Sequence, residues 1–277
     1  MDRAQAGAGR RLQETVAGAV LTTTDPWAPL RRLTPARIGL GHTGGSQPTA
    51  AHLEFQLAHA RARDAVHRPF DAAALALALE AAGLSVLVAA SAVADRAEYL
   101  QRPDLGRQLA PASRASLAAH AAPADAPYDV AFVVADGLSA LAVVRHAVPV
   151  LARIVPRLRA EGWRVAPTVA AAQGRVALGD EIGAVLGARL MAILIGERPG
   201  LTSPDSLGIY VTWSPAPGRR DAERNCISNV RPAGLGYELA ADRLHFLLSE
   251  ARRRKLTGVA LKDDRALPPR GEQPQLP

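Results

Sequence analysis

From Tyr128 onward, short apolar runs alternate with longer amphipathic ones, and this alternation constrains the fold more than any other feature of the chain. The short runs suit buried strands, and they lie at 130–135, 165–170, 190–195 and 209–213. The amphipathic runs suit helices, and they lie at 138–158, 181–186 and 237–256. Such alternation is typical of a parallel sheet covered by helices on both faces. We therefore predict an α/β domain over residues 128–262, Rossmann-like and three-layered.

The rest of the chain carries weaker patterns. Residues 34–127 have mostly helical periodicity, including a run at 72–82 that Asp71 can cap, so we predict a mostly helical N-terminal domain there. Residues 1–33 are rich in Ala, Gly and Thr and are predicted to form a flexible arm. The Pro-rich, charged segment 263–277 has little to bury and is predicted to be a disordered tail.

Composition limits the classes of partner. The net charge of +7 comes mostly from scattered arginines, and aromatic residues make up only 4% of the chain, which argues against a nucleic-acid surface. The most apolar stretch, 72–94, is interrupted by Glu80 and Gly83, so no membrane span is predicted. The first residues lack the apolar run of a signal peptide and Cys226 is the sole cysteine, so we expect a cytoplasmic protein.

Residues 39–44 match the dinucleotide-binding pattern Gly-x-Gly-x-x-Gly literally. That pattern needs a buried strand before it and a helix directly after it. The preceding residues 31–37 are charged and interrupted by proline, so a plain glycine turn is favoured. A stand-alone nucleotide-binding α/β enzyme is kept as an alternative function.

The histidines of the first helical region do not suggest a metal site. They are His42, His52, His59 and His67. Zinc sites on helices favour tighter spacings, such as pairs four residues apart. We therefore predict no metal ligands in this chain.

A possible ligand crevice lies between residues 196 and 229. The apolar run 190–195 leads into a turn that carries Glu197, and a polar segment downstream contains Cys226. In open α/β sheets, ligands bind beyond the carboxyl ends of the strands. We therefore expect Glu197 and the segment around Cys226 to form two sides of one crevice.

Two of the candidate residues have other interpretations. Asp136 follows a predicted strand and could contact a ligand, but the turn it begins could equally cap a helix through Ser139. Cys226 could be a nucleophile, a non-covalent ligand contact or a small buried side chain. Because no catalytic signature surrounds it, the buried side chain is favoured on residue type alone.

Five short blocks together resemble one family, the small (light) subunit of ethanolamine ammonia-lyase, which depends on adenosylcobalamin. The blocks are residues 102–107, 136–139, 174–176, 196–201 and 226–229. Each block is weak alone, but their order and spacing make the resemblance specific. It covers roughly residues 34–258.

The resemblance implies a division of labour between two subunits. A larger partner, a TIM barrel, would carry the substrate site, and this chain would supply one wall of the cobalamin pocket. The cofactor contacts implied here are Val176, Glu197 and Cys226, with no catalytic residue in this chain. The implied reaction is the radical conversion of ethanolamine to acetaldehyde and ammonia. A non-catalytic interaction module remains an alternative, and enclosure in a bacterial microcompartment stays open.

Overall fold

The computed structural model describes Thr23 and residues 25–263. Contacts divide the described chain into two compact units, one ending at Ala60 and the other beginning at Arg61. The predicted tail beyond Asp263, and most of the predicted arm, lie outside the described residues. The boundaries predicted at residues 33, 127 and 262 stay predictions. No helix in the described part of the chain is long and apolar enough to cross a bilayer.

Six strands and seven α-helices make up the described secondary structure, together with short 3-10 turns. The strands are β1 (Val86–Ala90), β2 (Tyr128–Ala135), β3 (Thr168–Ala172), β4 (Ala188–Gly196), β5 (Leu207–Trp213) and β6 (Arg224–Val230). The helices are α1 (Thr49–His67), α2 (Ala72–Ala81), α3 (Arg96–Gln101), α4 (Pro111–Ala118), α5 (Ala140–Ala160), α6 (Val176–Val185) and α7 (Tyr237–Arg254). The predicted α/β class is confirmed.

The six strands form one sheet in the order β1-β3-β2-β4-β5-β6. The first four are parallel, but β5 runs antiparallel to β4 and β6 runs antiparallel to β5. The prediction of a parallel sheet is therefore wrong for β5, and β6 was not predicted as a strand. The physical reason is the connection 197–206 between β4 and β5, which is too short for the crossover helix that parallel neighbours need.

Strand β1 lies within residues 34–127, the region predicted to be mostly helical, and it was not predicted. It pairs along its whole length with β3, so the sheet takes its first edge strand from that region. The segment from Ala72 to Ala90 is apolar almost throughout. Periodicity cannot separate a helix from a strand inside such a run.

Helices pack against both faces of the sheet because successive strand residues point to opposite sides. Phe132 and Val134 of β2 pack with α2, α5 and α7, whereas Val133 packs with α4 and α6 on the other side. On that second side, α6 lies over β4 and β2. Helix α7 covers β5 and β6 from the first side only. On the α6 side, Asp180 of α6 contacts Arg224 at the start of β6, whereas Cys226 and Ser228 farther along β6 are exposed.

Candidate functional site

Glu197 extends the pairing of β4 by one residue. Its backbone N–H donates to the carbonyl oxygen of Ser206 at 2.9 Å, so its side chain projects on the α6 side of the sheet, like that of Ile195 two residues earlier. Gly208 of β5 pairs with Ile195, beside this side chain. A Cβ atom at Gly208 would lie 3.0 Å from the Oε1 atom of Glu197. Glycine at that position therefore makes room for the carboxylate.

The Glu197 carboxylate joins the end of β4 to the end of β6. Its Oε1 atom accepts a hydrogen bond from the Ser228 hydroxyl at 2.6 Å, and its Oε2 atom accepts one from the Ser206 hydroxyl. The backbone N–H of Asn229 lies 3.3 and 3.4 Å from the two oxygens. These three donors, one of them shared between both oxygens, make four contacts, about as many as a carboxylate has acceptor positions. The structure brings the two segments into contact, and the ligand crevice predicted between them stays a prediction.

The backbone at Asn229 is shaped to meet Glu197. Its φ angle is +60°, a left-handed conformation that asparagine tolerates better than most residues. This turn directs the Asn229 N–H at the carboxylate. Sequence reasoning did not identify Ser206 or Ser228 as partners of Glu197, because serine in a polar segment carries no signal for one particular acceptor.

Cys226 lies in β6, in a segment predicted as a polar loop, and it is exposed rather than buried. It pairs across the ladder with Tyr210 of β5, whose ring packs toward the α6 side. Partial withdrawal of the thiol from water raises its pKa, the Tyr210 hydroxyl opposes that rise, and the charge of Glu197 adds to it. The thiol therefore stays protonated near neutral pH, which makes it a weak nucleophile.

Val176 is the first residue of α6, just beyond the carboxyl end of β3. Its side chain is half-buried against the apolar cluster on the α6 side. The preceding N-cap residue, Arg175, provides no side-chain cap for the first N–H groups of the helix. Val176, Glu197 and Cys226 thus all lie on the α6 side of the sheet.

Asp136 is turned inward, and only 1% of its surface is exposed. Its Oδ2 atom lies 3.1 Å from Nη1 of Arg96, and its Oδ1 atom accepts the Gly174 N–H at 3.1 Å. Burial raises the pKa of Asp136 to about 6, against the opposing charge of Arg96. Ser139 caps α5 by accepting the Ala142 N–H at 3.3 Å. The capping interpretation of this turn holds, and Asp136 anchors α3 to the sheet.

Comparison with known proteins decides the family. A family model described as ethanolamine ammonia-lyase light chain matches residues 24–262. The chain belongs to the ethanolamine ammonia-lyase light chain family. It is therefore a subunit of a heteromeric lyase, and the designation of its relatives as small subunits implies a larger partner.

Individual light chains support this assignment over most of the sequence. The ethanolamine ammonia-lyase small subunit of Azotobacter vinelandii is 60% identical over 242 residues, covering 87% of this chain and 90% of that protein. The small subunit of Pseudomonas aeruginosa strain UCBPP-PA14 is 60% identical over 240 residues, covering 87% and 88%. That of Ralstonia nicotianae is 58% identical over 246 residues, covering 89% and 91%.

The glycine pattern at 39–44 lies in irregular chain that ends in one turn, at residues 44 and 45, in this light chain. No strand precedes it among the described residues, and α1 begins only at Thr49. Gly41 has a φ angle of +73° and lies where the chain crosses Thr23, with which His42 exchanges two backbone hydrogen bonds. The glycines therefore serve close backbone packing, and the strand and helix of a dinucleotide site are missing here.

Potential metal ligands do not gather in the described part of the light chain. No group of three or more His, Cys, Asp or Glu side chains there is arranged to hold an ion. In α1, the imidazole of His52 instead contacts the side-chain amide of Gln56 at 2.9 Å.

Proposed function

We propose that this light chain forms one wall of an adenosylcobalamin pocket, and that a TIM-barrel large subunit closes the pocket and carries the substrate. The observation that supports this most is that Val176, Glu197 and Cys226 all lie on the α6 side of the sheet, where Cys226 and Ser228 of β6 are exposed. We further propose that the sheet and its helices are Rossmann-like and three-layered. In such folds, ligands bind beyond the carboxyl ends of the parallel strands.

The residues present suit a corrin ring, which is a large apolar disc fringed with amide side chains. The Tyr210 ring and the Cys226 sulfur offer apolar, polarizable contact. Glu197 can accept an amide N–H in place of the long, shared contact with the Asn229 N–H, and its two serine partners hold it in position. Val176 offers an apolar side chain at a helix start that the N-cap side chain does not cap.

The work of this chain is binding and positioning. When bound, adenosylcobalamin supplies the radical chemistry that converts ethanolamine to acetaldehyde and ammonia. Glu197, Val176 and Cys226 would hold the corrin and keep water from that side of the pocket, without contacting its metal. The raised pKa of the Cys226 thiol agrees with a packing contact rather than a nucleophile.

The isolated chain is expected to show no turnover, because the substrate groups would lie on the large subunit. Co-expression with that subunit and addition of adenosylcobalamin should produce acetaldehyde from ethanolamine and change the cobalamin absorption spectrum. Turnover by this chain alone would contradict the division of labour. A stable complex that leaves the spectrum unchanged would favour a pure interaction module, and NAD binding by the isolated chain would favour the nucleotide enzyme.

Replacing Glu197 with alanine should weaken cobalamin binding by the assembled complex by about 1–3 kcal/mol, or about fivefold to a hundredfold. The change removes an acceptor for the corrin amides and also the link from β4 to β6. Spectroscopic titration with adenosylcobalamin measures the affinity. Ser206→Ala is the matched control, because it removes one link and keeps the carboxylate, so a smaller loss is expected. Unchanged affinity in Glu197→Ala would remove this residue from the pocket.

A further inference from the structure

A cleft of about 740 Å³ opens beside the first turn of α6. The 3-10 turn Leu105–Arg107 and the loop before β6 form its other walls, and Val176 is among the residues that line it. The cleft therefore shares Val176 with the proposed corrin pocket. None of the charged side chains that line it is among the proposed corrin contacts.

Each carboxylate that lines this cleft has an arginine partner, and the pairs are Asp104–Arg102, Glu181–Arg114 and Asp221–Arg224. Glu181 also accepts the backbone N–H of Leu109 at 2.7 Å. Because Arg224 also pairs with the buried Asp180, these pairs leave one negative charge uncompensated.

Three arginines of the cleft, in contrast, form no ion pair with any described residue: Arg107, Arg175 and Arg220. Arg107 and Arg220 are exposed. Arg175 stacks over the Tyr99 ring at 4.1 Å and donates to its carbonyl oxygen at 3.0 Å, while its Nε is buried without an acceptor. The partial positive charge at the start of α6 has the same sign. The cleft thus carries uncompensated positive charge.

Resting on the proposed function, we propose that this cleft binds the phosphodiester of the cofactor's nucleotide tail through Arg107, Arg175 and Arg220. The side chains of the corrin are neutral amides, so the phosphodiester is the anionic group of that tail. Guanidinium groups are planar cations, and each can donate two parallel hydrogen bonds to the oxygens of an anionic phosphate. Val176 lines both this cleft and the proposed corrin pocket. The phosphodiester of the same cofactor is therefore favoured as the occupant over an acidic segment of the large subunit.

The test compares two corrinoids on the assembled complex. Adenosylcobalamin carries the nucleotide tail, whereas adenosylcobinamide lacks its phosphodiester, ribose and base. Replacing Arg107 and Arg220 together with alanine should weaken adenosylcobalamin binding about tenfold to a hundredfold and leave adenosylcobinamide binding unchanged. The double lysine variant should recover part of the affinity, because it restores the charge without the planar geometry. Added KCl should weaken adenosylcobalamin binding more steeply in the wild type than in the alanine variant.

Arg253→Ala is the matched control, since it removes the same charge from an exposed arginine on α7 that pairs with Glu250. It should leave both affinities unchanged. Equal losses for both corrinoids, no loss for either, or weaker association of the subunits would each overturn the phosphodiester site. Failure of the wild-type complex to bind either corrinoid would contradict the proposed function itself, which separates the two ideas.

Discussion

Replacing Arg224 with alanine should destabilise the folded chain by about 3–5 kcal/mol, because it leaves a buried carboxylate without its partner. Arg224 and Asp180 form an ion pair whose side chains are only 2% and 1% exposed. Burial raises the pKa of Asp180, against the stabilising effect of Arg224 on its charge. Without the guanidinium, Asp180 must either bind a proton or stay charged and poorly solvated, and both states cost free energy.

Chemical denaturation of the isolated chain measures this loss. Arg253→Ala removes an arginine from an exposed pair and should change the free energy of unfolding by less than about 1 kcal/mol. Replacing Asp180 and Arg224 together with leucine should recover much of the stability, since neither charge then remains buried. Equal effects of Arg224→Ala and Arg253→Ala would show that the buried pair contributes no more than a surface pair.

The same pair shapes the proposed pocket. It fastens the start of β6 to α6, since Asp180 belongs to α6 and Arg224 to β6. Arg224 also donates to the carbonyl oxygen of Arg219 at 2.8 Å, which holds the loop beside the cleft. Any Arg224→Ala protein that still assembles is therefore expected to bind adenosylcobalamin more weakly.

Replacing Gly196 with alanine should cost about 2–4 kcal/mol of stability and lower cobalamin affinity more than tenfold. A Cβ atom there would lie 2.5 Å from the Asp136 carbonyl oxygen, and it would also overlap the Ser139 carbonyl oxygen. Both obstacles are backbone atoms of the turn after β2, so no side chain can rotate away. The end of β4 must shift, and Glu197 must shift with it.

Gly200 is the natural control on the other side of Glu197. A Cβ atom at Gly200 would meet the Ser203 hydroxyl at 3.6 Å, an ordinary contact. Gly200→Ala should therefore change both stability and affinity little. Thermal unfolding and spectroscopic titration report the two quantities separately. If Gly196→Ala behaves like Gly200→Ala, the tight packing at the end of β4 does not position Glu197.

The elements that were predictable are those in which burial produces a clear pattern of apolar residues. Strands β2 and β4 are continuous apolar runs, and α5 has a long amphipathic pattern, because burial dictates their composition. Strand β6 was not predicted as a strand. It lies at the edge of the sheet, and its sequence Arg-Asn-Cys-Ile-Ser-Asn-Val is polar enough to resemble a loop. Its exposed side can be polar, so composition says little about its conformation.

The sequence by itself determined the α/β class, because buried strands and amphipathic helices alternate along the chain. It also determined the family and the candidate residues Val176, Glu197 and Cys226, because five short blocks occur in a recognisable order. Only the tertiary structure decided that Glu197 is held by Ser206, Ser228 and Asn229, that Cys226 is an exposed strand residue, and that Asp136 faces Arg96. It also decided which arginines remain unpaired beside α6. Hydrogen bonds, burial and charge compensation depend on residues that are distant in the chain and adjacent in space, so no local pattern contains them.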